Sequence, residues 1–246
     1  MKTLGIIPAR FASTRFPGKP LALINGKSMI HRVYDQVLKA SKLSDLVVAT
    51  DDERIMHEVL SFHGNVVMTR VDHVSGTDRC FEALLKQHND FDAVVNIQGD
   101  EPFINPEQIN QVVSLLENGL AEISTLVYKI TKEEELFNPN TVKAVFGESG
   151  RAVYFSRHPI PFLRGFESSQ WLNNHVFYKH LGIYGYLSNC LEKITKLDPS
   201  PLEKAESLEQ LRWLENGIHI AVGITEVESF GIDTPADLEK VMKLFT

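Results

Sequence analysis

Segments with the periodicity of strands and of helices alternate through the first half of this 246-residue chain. An apolar run from Thr3 to Pro8 is followed by a helical pattern from Ser28 to Ala40, with Ser28 as its predicted N-cap. Such alternation is typical of right-handed βαβ crossovers in a mostly parallel sheet. The next predicted elements are the strand Leu46 to Thr50, the helix Asp52 to Phe62, the strand Val66 to Met68, the helix Thr77 to Lys86, the strand Ala93 to Ile97 and the helix Pro106 to Leu116.

The alternation changes in the second half, where strands follow one another with loops between them. The elements predicted there are the strands Ile123 to Tyr128, Val142 to Phe146, Ala152 to Phe155 and Leu181 to Leu187, helices near Leu191 and from Ser207 to Glu215, a strand Ile218 to Val222 and a helix Thr234 to Phe245. Consecutive strands predict antiparallel additions or a small subdomain. With 43% hydrophobic residues and no linker-like segment, we expect one domain over residues 1–246, with an inserted or lobed region at roughly 121–190.

A cationic loop follows the first strand. The segment Pro8 to Leu21 contains Arg10, Arg15 and Lys19 and no acidic residue. The carboxyl ends of strands are where open α/β sheets bind ligands, and two arginines with one lysine suit a polyphosphate. Because Pro20 stands where a Walker loop has serine or threonine, this is not a P-loop. A solvated surface loop remains the alternative.

Two acidic residues are predicted at the same edge of the sheet. Asp100 comes shortly after the strand Ala93 to Ile97, and Asp233 precedes the last predicted helix. Magnesium is usually held by one or two carboxylates together with substrate phosphates, so this pair is a candidate metal site. The alternatives are a turn-forming Asp100 and a helix-capping Asp233, although Thr234 can supply that cap alone.

A third candidate cluster opens the helix after residue 74. Ser75 or Thr77 can cap that helix, while Gly76 and the exposed backbone can hydrogen-bond to a nucleobase edge. Arg79 lies one turn further along. Asp51, after an earlier strand, either caps the helix that follows it or belongs to the acidic edge, and we favour the cap.

Composition excludes several classes of protein. A net charge of −7 argues against a general nucleic-acid binder, which needs a broad cationic surface. Cys80 and Cys190 are far apart and form neither a disulfide framework nor a zinc motif. The chain starts without a secretory signal pattern and has no apolar run of about 18 residues, so we expect no membrane association and a cytoplasmic location.

Several motifs are spread along nearly the whole chain. They are Ile7 to Leu21, Ser75 to Arg79, Asn96 to Pro102, Phe137 to Asn140, His180 to Tyr186, Pro199 to Glu203, Glu209 to Arg212 and Gly231 to Pro235. Together they closely resemble those of the 3-deoxy-manno-octulosonate cytidylyltransferase family, the CMP-Kdo synthetases. Departures from the family pattern are mild: Phe16 replaces a more usual leucine, Asp78 a commoner glutamate, and the loop Arg164 to Phe177 lies where members vary.

The resemblance implies a fold and an activity. The fold is a Rossmann-like nucleotidyltransferase fold, with a mostly parallel central sheet, helices on both faces and a small antiparallel dimerisation and sugar-binding subdomain. The activity is transfer of CMP from CTP to the anomeric hydroxyl of 3-deoxy-manno-octulosonate (Kdo), with Mg²⁺, in a homodimer that serves lipopolysaccharide biosynthesis. A cytidylyltransferase for an 8-amino Kdo analogue and a non-catalytic nucleotide-binding regulator are the alternatives.

The resemblance also implies roles for individual residues. Arg10, Arg15 and Lys19 would bind the triphosphate, and Asp100 with Asp233 would hold the metal. The catalytic set would be Asp100, Lys19, Arg15 and Asp233. The nucleotide contacts would add Ser75, Gly76, Thr77 and Arg79, and the sugar-acid pocket would contain Gln98, Arg157, His180, Tyr184, Glu209 and Gln210.

Overall fold

The computed structural model describes residues 1–12 and 16–244. The chain forms two compact units, Met1–Val113 with Ser229–Thr246, and Ser114–Glu228. The first unit is therefore discontinuous in sequence. Residues 121–190, which were predicted to form an inserted or lobed region, fall within the range of the second unit.

The described residues form eleven strands and ten α-helices. The strands are β1 (Thr3–Ala9), β2 (Leu23–Ile24), β3 (Lys27–Ser28), β4 (Asp45–Thr50), β5 (Val66–Met68), β6 (Ala93–Asn96), β7 (Ile123–Lys129), β8 (Lys143–Phe146), β9 (Ala152–Ser156), β10 (Tyr178–Leu187) and β11 (Ile220–Thr225). The helices are α1 (Met29–Val37), α2 (Glu53–Ser61), α3 (Gly76–Leu85), α4 (Pro106–Glu117), α5 (Glu133–Phe137), α6 (Trp171–Asn174), α7 (Ser188–Ile194), α8 (Pro201–Glu206), α9 (Glu209–Glu215) and α10 (Pro235–Leu244). The predicted elements are present among the described residues, and Phe245, the predicted end of the last helix, lies outside them. The elements β2, β3, α5, α6 and α8 were not predicted.

Four parallel strands form the sheet of the first unit, in the order β6-β1-β4-β5. Strand β1 is central: Gly5 pairs with Leu46 on one side and with Val95 on the other. The strands beside it are almost wholly buried, as expected where a parallel sheet is covered on both faces. This arrangement brings the carboxyl ends of β1, β4 and β6 to one edge.

The ends of the first unit's helices follow local sequence signals. Ser28 caps α1 by accepting a hydrogen bond from the backbone N–H of His31, as predicted. Asn25 and Gly26 both have positive φ in the tight turn between β2 and β3, which is the geometry that favours an Asn-Gly pair in a hairpin.

An apolar cluster fixes the last helix within the first unit. Ile232 and Val241 are buried against Ile24 and Met29, which lie near the start of α1. Partly buried side chains pack around them. Ile232 and the helix α10 are therefore part of the core of the unit that contains β1.

The second unit has a mixed sheet in the order β11-β7-β10-β8-β9. Strands β11 and β7 are parallel, and the remaining neighbours are antiparallel. These additions, with the parallel sheet of the first unit, confirm the predicted α/β fold class. No helix among the described residues has both the length and the apolar character needed to cross a membrane.

Candidate functional site

The loop after β1 is closed by a backbone hydrogen bond. Gly18 donates its N–H to the carbonyl of Phe11 over 3.0 Å, with a φ of 70° that disfavours side chains at this position. The Phe11 ring is covered by the Arg54 guanidinium, whose Cζ lies 3.3 Å from the ring centroid. A short 3₁₀ turn, Lys19–Leu21, follows directly. Closure of the loop therefore sets the position of Lys19.

Lys19 bridges the two carboxylates predicted at this edge. Its Nζ lies 2.5 Å from Oδ2 of Asp100 and 3.3 Å from Oδ1 of Asp233. The side chain of Lys19 is 14% exposed, whereas Asp100 and Asp233 are 26% and 47% exposed. We call these three residues the carboxylate corner. Of the other predicted phosphate ligands, Arg10 is exposed at the end of β1 and Arg15 lies outside the described residues.

Backbone geometry brings the two carboxylates together. The N–H of Ile232 donates to the carbonyl of Asp100 over 2.9 Å. Thr234 caps α10 by accepting from the N–H of Asp237, and the Asp237 carboxylate accepts from Thr234 in return. The cap is therefore made without Asp233, whose carboxylate reaches Lys19 instead.

The turn before Asp100 needs a glycine for steric reasons. A Cβ on Gly99 would lie 2.9 Å from the carbonyl oxygen of Pro8, closer than real Cβ atoms approach. The next residue, Glu101, was not predicted to belong to the site. Burial raises its pKa to about 7, the charge of Asp100 adds to the rise, and a hydrogen bond with Ser229 opposes it.

The start of α3 forms another part of the site. Ser75 is the N-cap: its Oγ accepts from the N–H of Asp78 over 3.1 Å and donates to the Asp78 carboxylate over 3.0 Å. The capping interpretation of Ser75 is thus confirmed. Gly76 faces the cavity described below, whereas Thr77 is buried in the helix.

Arg79 is held by a buried ion pair. Its Nη2 lies 2.8 Å from Oδ2 of Asp51, and its Nη1 donates to Oγ1 of Thr69 over 2.5 Å. Only 4% of the Arg79 side chain is exposed. Asp52, not Asp51, caps α2, so the capping prediction for Asp51 was wrong. The carboxylate of Asp51 instead balances a buried arginine, because an unpaired buried charge is costly.

These groups surround one cavity of about 280 Å³ in the first unit. Its lining contains Pro8, Ala9, Arg10, Lys19, Pro20, His73, Val74, Ser75, Gly76, Arg79, Gln98, Gly99, Asp100 and Asp233. Cationic side chains, two carboxylates and the N-terminus of α3 thus meet in a single space, which suits a charged, phosphate-bearing ligand. Across the described part of the chain, no group of three or more His, Cys, Asp or Glu side chains is arranged to hold a metal.

In the second unit, His180 is a neutral histidine whose side chain is only partly accessible to solvent. Burial lowers its pKa to about 3. Its Nε2 lies 3.0 Å from Oγ1 of Thr125, and its ring packs edge-on against Phe155, with centroids 5.2 Å apart. The backbone N–H of His180 donates to the carbonyl of Val142.

A bulge brings Tyr184 close to His180. Four residues of regular strand span about 13 Å, yet the ring centroids of these two residues are 5.1 Å apart. The register of β10 against β7 shifts between Leu181 and Tyr184, and Thr125 donates to the carbonyl of Ile183 inside the irregularity. A bulge re-aims side chains in this way. The Gly182 in the strand pattern was the available sequence signal.

The hydroxyl of Tyr184 is buried and has no hydrogen-bond partner among the described residues. Burial raises the pKa of this phenol well above its ordinary value, and the nearby charge of Glu209 adds to the rise. Glu209 begins α9 and Gln210, which is buried, follows it. The structure therefore brings Tyr184 near His180 and Glu209, and we call these three residues the aromatic cluster.

Arg157 binds backbone carbonyls. Its Nε donates to Glu206 over 2.7 Å, its Nη1 to Pro139 over 3.0 Å and its Nη2 to Ser207 over 3.3 Å. The Glu206 carboxylate in turn accepts from the N–H of Arg157 over 2.9 Å. In this structure the guanidinium ties β9 to the turn before α9, where Glu209 lies.

Sequence reasoning missed the buried Lys143. Its Nζ donates to the carbonyls of Asn138, Thr141 and Arg157. Burial lowers the pKa of this lysine to about 8. The Phe137 to Asn140 motif thus has a structural use, because the Asn138 carbonyl accepts from the buried Lys143 and the Pro139 carbonyl accepts from Arg157.

The chain is similar to known proteins over nearly its full length. A family model described as Cytidylyltransferase matches residues 4–220. A 3-deoxy-manno-octulosonate cytidylyltransferase of Bacteroides thetaiotaomicron is 57% identical over 242 residues, covering 97% of this chain and 96% of that protein. The enzyme of the same name from Cytophaga hutchinsonii is 55% identical, covering 97% of this chain and 95% of that protein.

Solved structures agree with the sequence comparisons. A CMP:2-keto-3-deoxy-manno-octonic acid synthetase complexed with CTP matches with a TM-score of 0.92 and 40% identity, covering 100% of this chain and 98% of that one. A cytidylyltransferase of Leptospira borgpetersenii matches with a TM-score of 0.63 at 17% identity, covering 98% of this chain and 85% of that one. The second match shows the fold alone.

Proposed function

This chain belongs to the 3-deoxy-manno-octulosonate cytidylyltransferase family, and we propose that it transfers CMP from CTP to the anomeric hydroxyl of Kdo and releases pyrophosphate. The product, CMP-Kdo, would serve lipopolysaccharide biosynthesis. The observation that carries the proposal is the cavity of the first unit, where Lys19, Asp100 and Asp233 meet beside the N-terminus of α3. A phosphate-bearing nucleotide fits this combination of charges and backbone donors.

We assign the triphosphate to the cationic loop. Arg10 and Lys19 border the cavity, and Arg15 stands in the same loop of the sequence. Lysine and arginine neutralise charge that moves onto the leaving oxygens of a phosphoryl-type transfer. When CTP binds, Lys19 would exchange part of its contact with the carboxylates for contact with phosphate oxygens. Ser75 and Gly76 would lie beside the cytosine and ribose, and Arg79 would support them through its pairing with Asp51.

The donor set of the carboxylate corner fits Mg²⁺. Asp100 and Asp233 offer hard carboxylate oxygens, and one or two such ligands plus substrate phosphates are the usual protein share of a magnesium site. Magnesium bound there would neutralise phosphate charge and lower the pKa of the attacking hydroxyl. Lys19 keeps the two carboxylates close together, so these ligands are pre-positioned.

The reaction needs no covalent enzyme intermediate. The anomeric oxygen of Kdo forms a bond to the α-phosphorus, the bond from that phosphorus to the pyrophosphate oxygen breaks, and the hydroxyl proton passes to solvent. The contribution of the chain is positioning and charge neutralisation. Lys19 and Arg15 would face the departing pyrophosphate, and Asp100 would lie by the α-phosphate.

We assign the sugar acid to five residues of the second unit, and Gln98, which lines the cavity of the first unit, keeps the sugar-binding role that the resemblance implies. Those five are Arg157, His180, Tyr184, Glu209 and Gln210. The buried Tyr184 hydroxyl supports the assignment, because an unpartnered buried hydroxyl costs about 1–3 kcal/mol and a sugar hydroxyl would satisfy it. Because His180 is neutral, it would bind the sugar through hydrogen bonds, without an ionic contribution. Arg157 would shape the turn that carries Glu209.

We also propose a homodimer in the cytoplasm. Exposed apolar side chains in the second unit, such as Val153 and Phe162, are 64% and 74% exposed and favour a protein contact. CTP, the proposed substrate, is a cytoplasmic nucleotide. Light scattering coupled to gel filtration tests the dimer through the molar mass of the particle.

A pyrophosphate-release assay tests the function. The protein is given Mg²⁺, one of CTP, UTP, ATP or GTP, and one of Kdo, its 8-amino analogue or sialic acid. We expect release with CTP and Kdo and its loss when EDTA is added. Preference for the 8-amino sugar would identify the alternative cytidylyltransferase. Tight CTP binding without release, with every sugar tested, would instead support a regulator.

A further inference from the structure

The segment between β5 and α3 forms a wall of the nucleotide cavity through His73, Val74 and Ser75. Burial of apolar side chains does not hold this wall in place. Val71 and Val74 are 77% and 86% exposed, so neither packs into the core. The wall must therefore take its position from polar contacts.

One carboxylate, that of Glu82, supplies two of those contacts. Oε2 of Glu82 accepts from the backbone N–H of Arg70 over 3.0 Å and forms a short hydrogen bond with Nε2 of His73. Its Oε1 lies 2.7 Å from Nζ of Lys86. Although burial acts to raise it, the hydrogen bonds from Lys86, Arg70 and His73 hold the pKa of Glu82 at about 2. The carboxylate thus stays charged over the working pH range.

His73 is the part of the wall that connects it to this carboxylate. Its side chain is only 9% exposed, and it lines the cavity at the same time. Glu82 lies on α3, whose N-cap is Ser75. The contact therefore fixes the middle of the segment, and the Ser75 cap fixes its end, against one rigid helix.

We propose that His73, held by Glu82, is a positioning residue for the nucleoside of CTP. It acts through the Val74 to Gly76 backbone, which it keeps at the distance that the cytosine and ribose need. This inference rests on the proposed use of CTP. Small displacements of positioning groups are costly, and about 1 Å can reduce activity a hundredfold.

The test compares CTP with inorganic triphosphate as a probe of the phosphate end alone. Calorimetry gives the Kd of each for the wild-type protein, His73→Ala and His73→Gln, and kinetics give KM and kcat. We expect His73→Ala to raise Kd and KM for CTP roughly tenfold, since one charge-assisted contact is lost, while kcat and triphosphate affinity change little. His73→Gln should recover most of the loss, because its amide can still donate to Glu82.

Lys86→Met is the matched control, since Lys86 contacts the same carboxylate but does not border the cavity. Its CTP affinity should stay within about twofold of wild type. An unchanged Kd for CTP in His73→Ala, or an equal loss of triphosphate affinity, would overturn the proposal. If the wild-type protein binds CTP but releases no pyrophosphate with any sugar, the proposed function fails, and the affinity comparison still decides the role of His73.

Discussion

The carboxylate corner and the aromatic cluster handle charge in opposite ways. In the corner, Lys19 is shared between Asp100 and Asp233, and all three side chains reach solvent to some extent. In the cluster, burial keeps His180 and Tyr184 neutral. The corner can exchange its partners when ions arrive, whereas the cluster offers fixed hydrogen-bonding groups among aromatic rings.

This difference in charge suits the two regions to two different kinds of ligand. A triphosphate with a metal carries high charge, and ionic groups that already face one another can accept it by changing partners. A sugar is distinguished by the placement of its hydroxyls, which neutral groups with fixed geometry can recognise. The two regions should therefore respond differently to loss of charge and to pH.

Loss of charge in the corner should have the largest effect. Asp100→Asn or Asp233→Asn keeps the size of the side chain but removes a proposed metal ligand, at a cost of several kcal/mol, so we expect kcat to fall about a thousandfold. Asp35→Asn, which removes an exposed partner of Lys27, is the control. Steady-state kinetics with Mg²⁺ titration provide the measurement. Normal Mg²⁺ dependence in Asp233→Asn would show that this residue is not a ligand.

The double variant sharpens the same test. Residues that act as a unit lose little more together than the worse one loses alone. Additive losses from Asp100→Asn and Asp233→Asn would therefore indicate separate roles. Because Lys19 lies between the carboxylates, we do not expect their removal to stabilise the protein by relieving repulsion.

Removal of Lys19 should have the next largest effect. Each lost charge-assisted contact is worth about 1.5–3 kcal/mol, so Lys19→Met should reduce kcat/KM for CTP roughly ten- to a hundredfold. The matched control is Lys27→Met, since Lys27 also pairs with an aspartate but does not line the cavity. Equal kinetics in the two variants would remove Lys19 from the triphosphate site.

The aromatic cluster should affect the sugar without affecting the nucleotide. His180→Asn in the cluster, and Gln210→Ala next to Glu209 in α9, are expected to raise KM for Kdo about tenfold, because each removes about one hydrogen bond. The Kd for CTP, measured by calorimetry, should stay near the wild-type value. A loss of CTP affinity as large as that of Lys19→Met would contradict the division between the two regions.

The smallest effect concerns acid stability. The pKa of His180 falls from its ordinary value of about 6.5 to about 3 in the folded chain. Between these values the unfolded chain binds a proton that the native chain does not, so stability falls as pH decreases from about 6.5. Urea unfolding at several pH values should show a shallower decline for His180→Asn. The exposed His88 provides the control, and an identical slope in wild type and His180→Asn would contradict the buried neutral state.

Local signals predicted much of the fold. Ser28 and Thr234 cap helices because a short hydroxyl side chain can reach the backbone N–H groups of the next turn. Such a cap depends only on residues that are close in sequence. The hairpin at Asn25 and Gly26 has an equally local signal, because the Asn-Gly pair favours a tight turn with positive φ. The position of Asp100 at the edge of the sheet followed from topology, because the carboxyl ends of parallel strands share an edge. The approach of Asp233, which precedes α10, depends instead on the backbone contact between Ile232 and Asp100.

Other features depend on packing that no local pattern encodes. The motif suggests that Arg79 binds a ligand, yet the structure buries it in an ion pair with Asp51, which directly follows β4 and lies 28 residues earlier in the chain. The pairing of His180 with Tyr184 needs a bulge whose position depends on the register against β7. In the sequence Lys143 is an ordinary strand lysine, whereas in the structure its Nζ donates to three carbonyls.

The discontinuity of the first unit has a consequence for synthesis on the ribosome. Asp233 and the apolar side chains that anchor α10 leave the exit tunnel only after the whole second unit has been made. Until then Lys19 and Asp100 lack Asp233, and the apolar surface around Ile24 is not covered by Ile232 and Val241. The nascent chain therefore carries an exposed apolar patch for most of its translation, which is where a ribosome-associated chaperone would be expected to act.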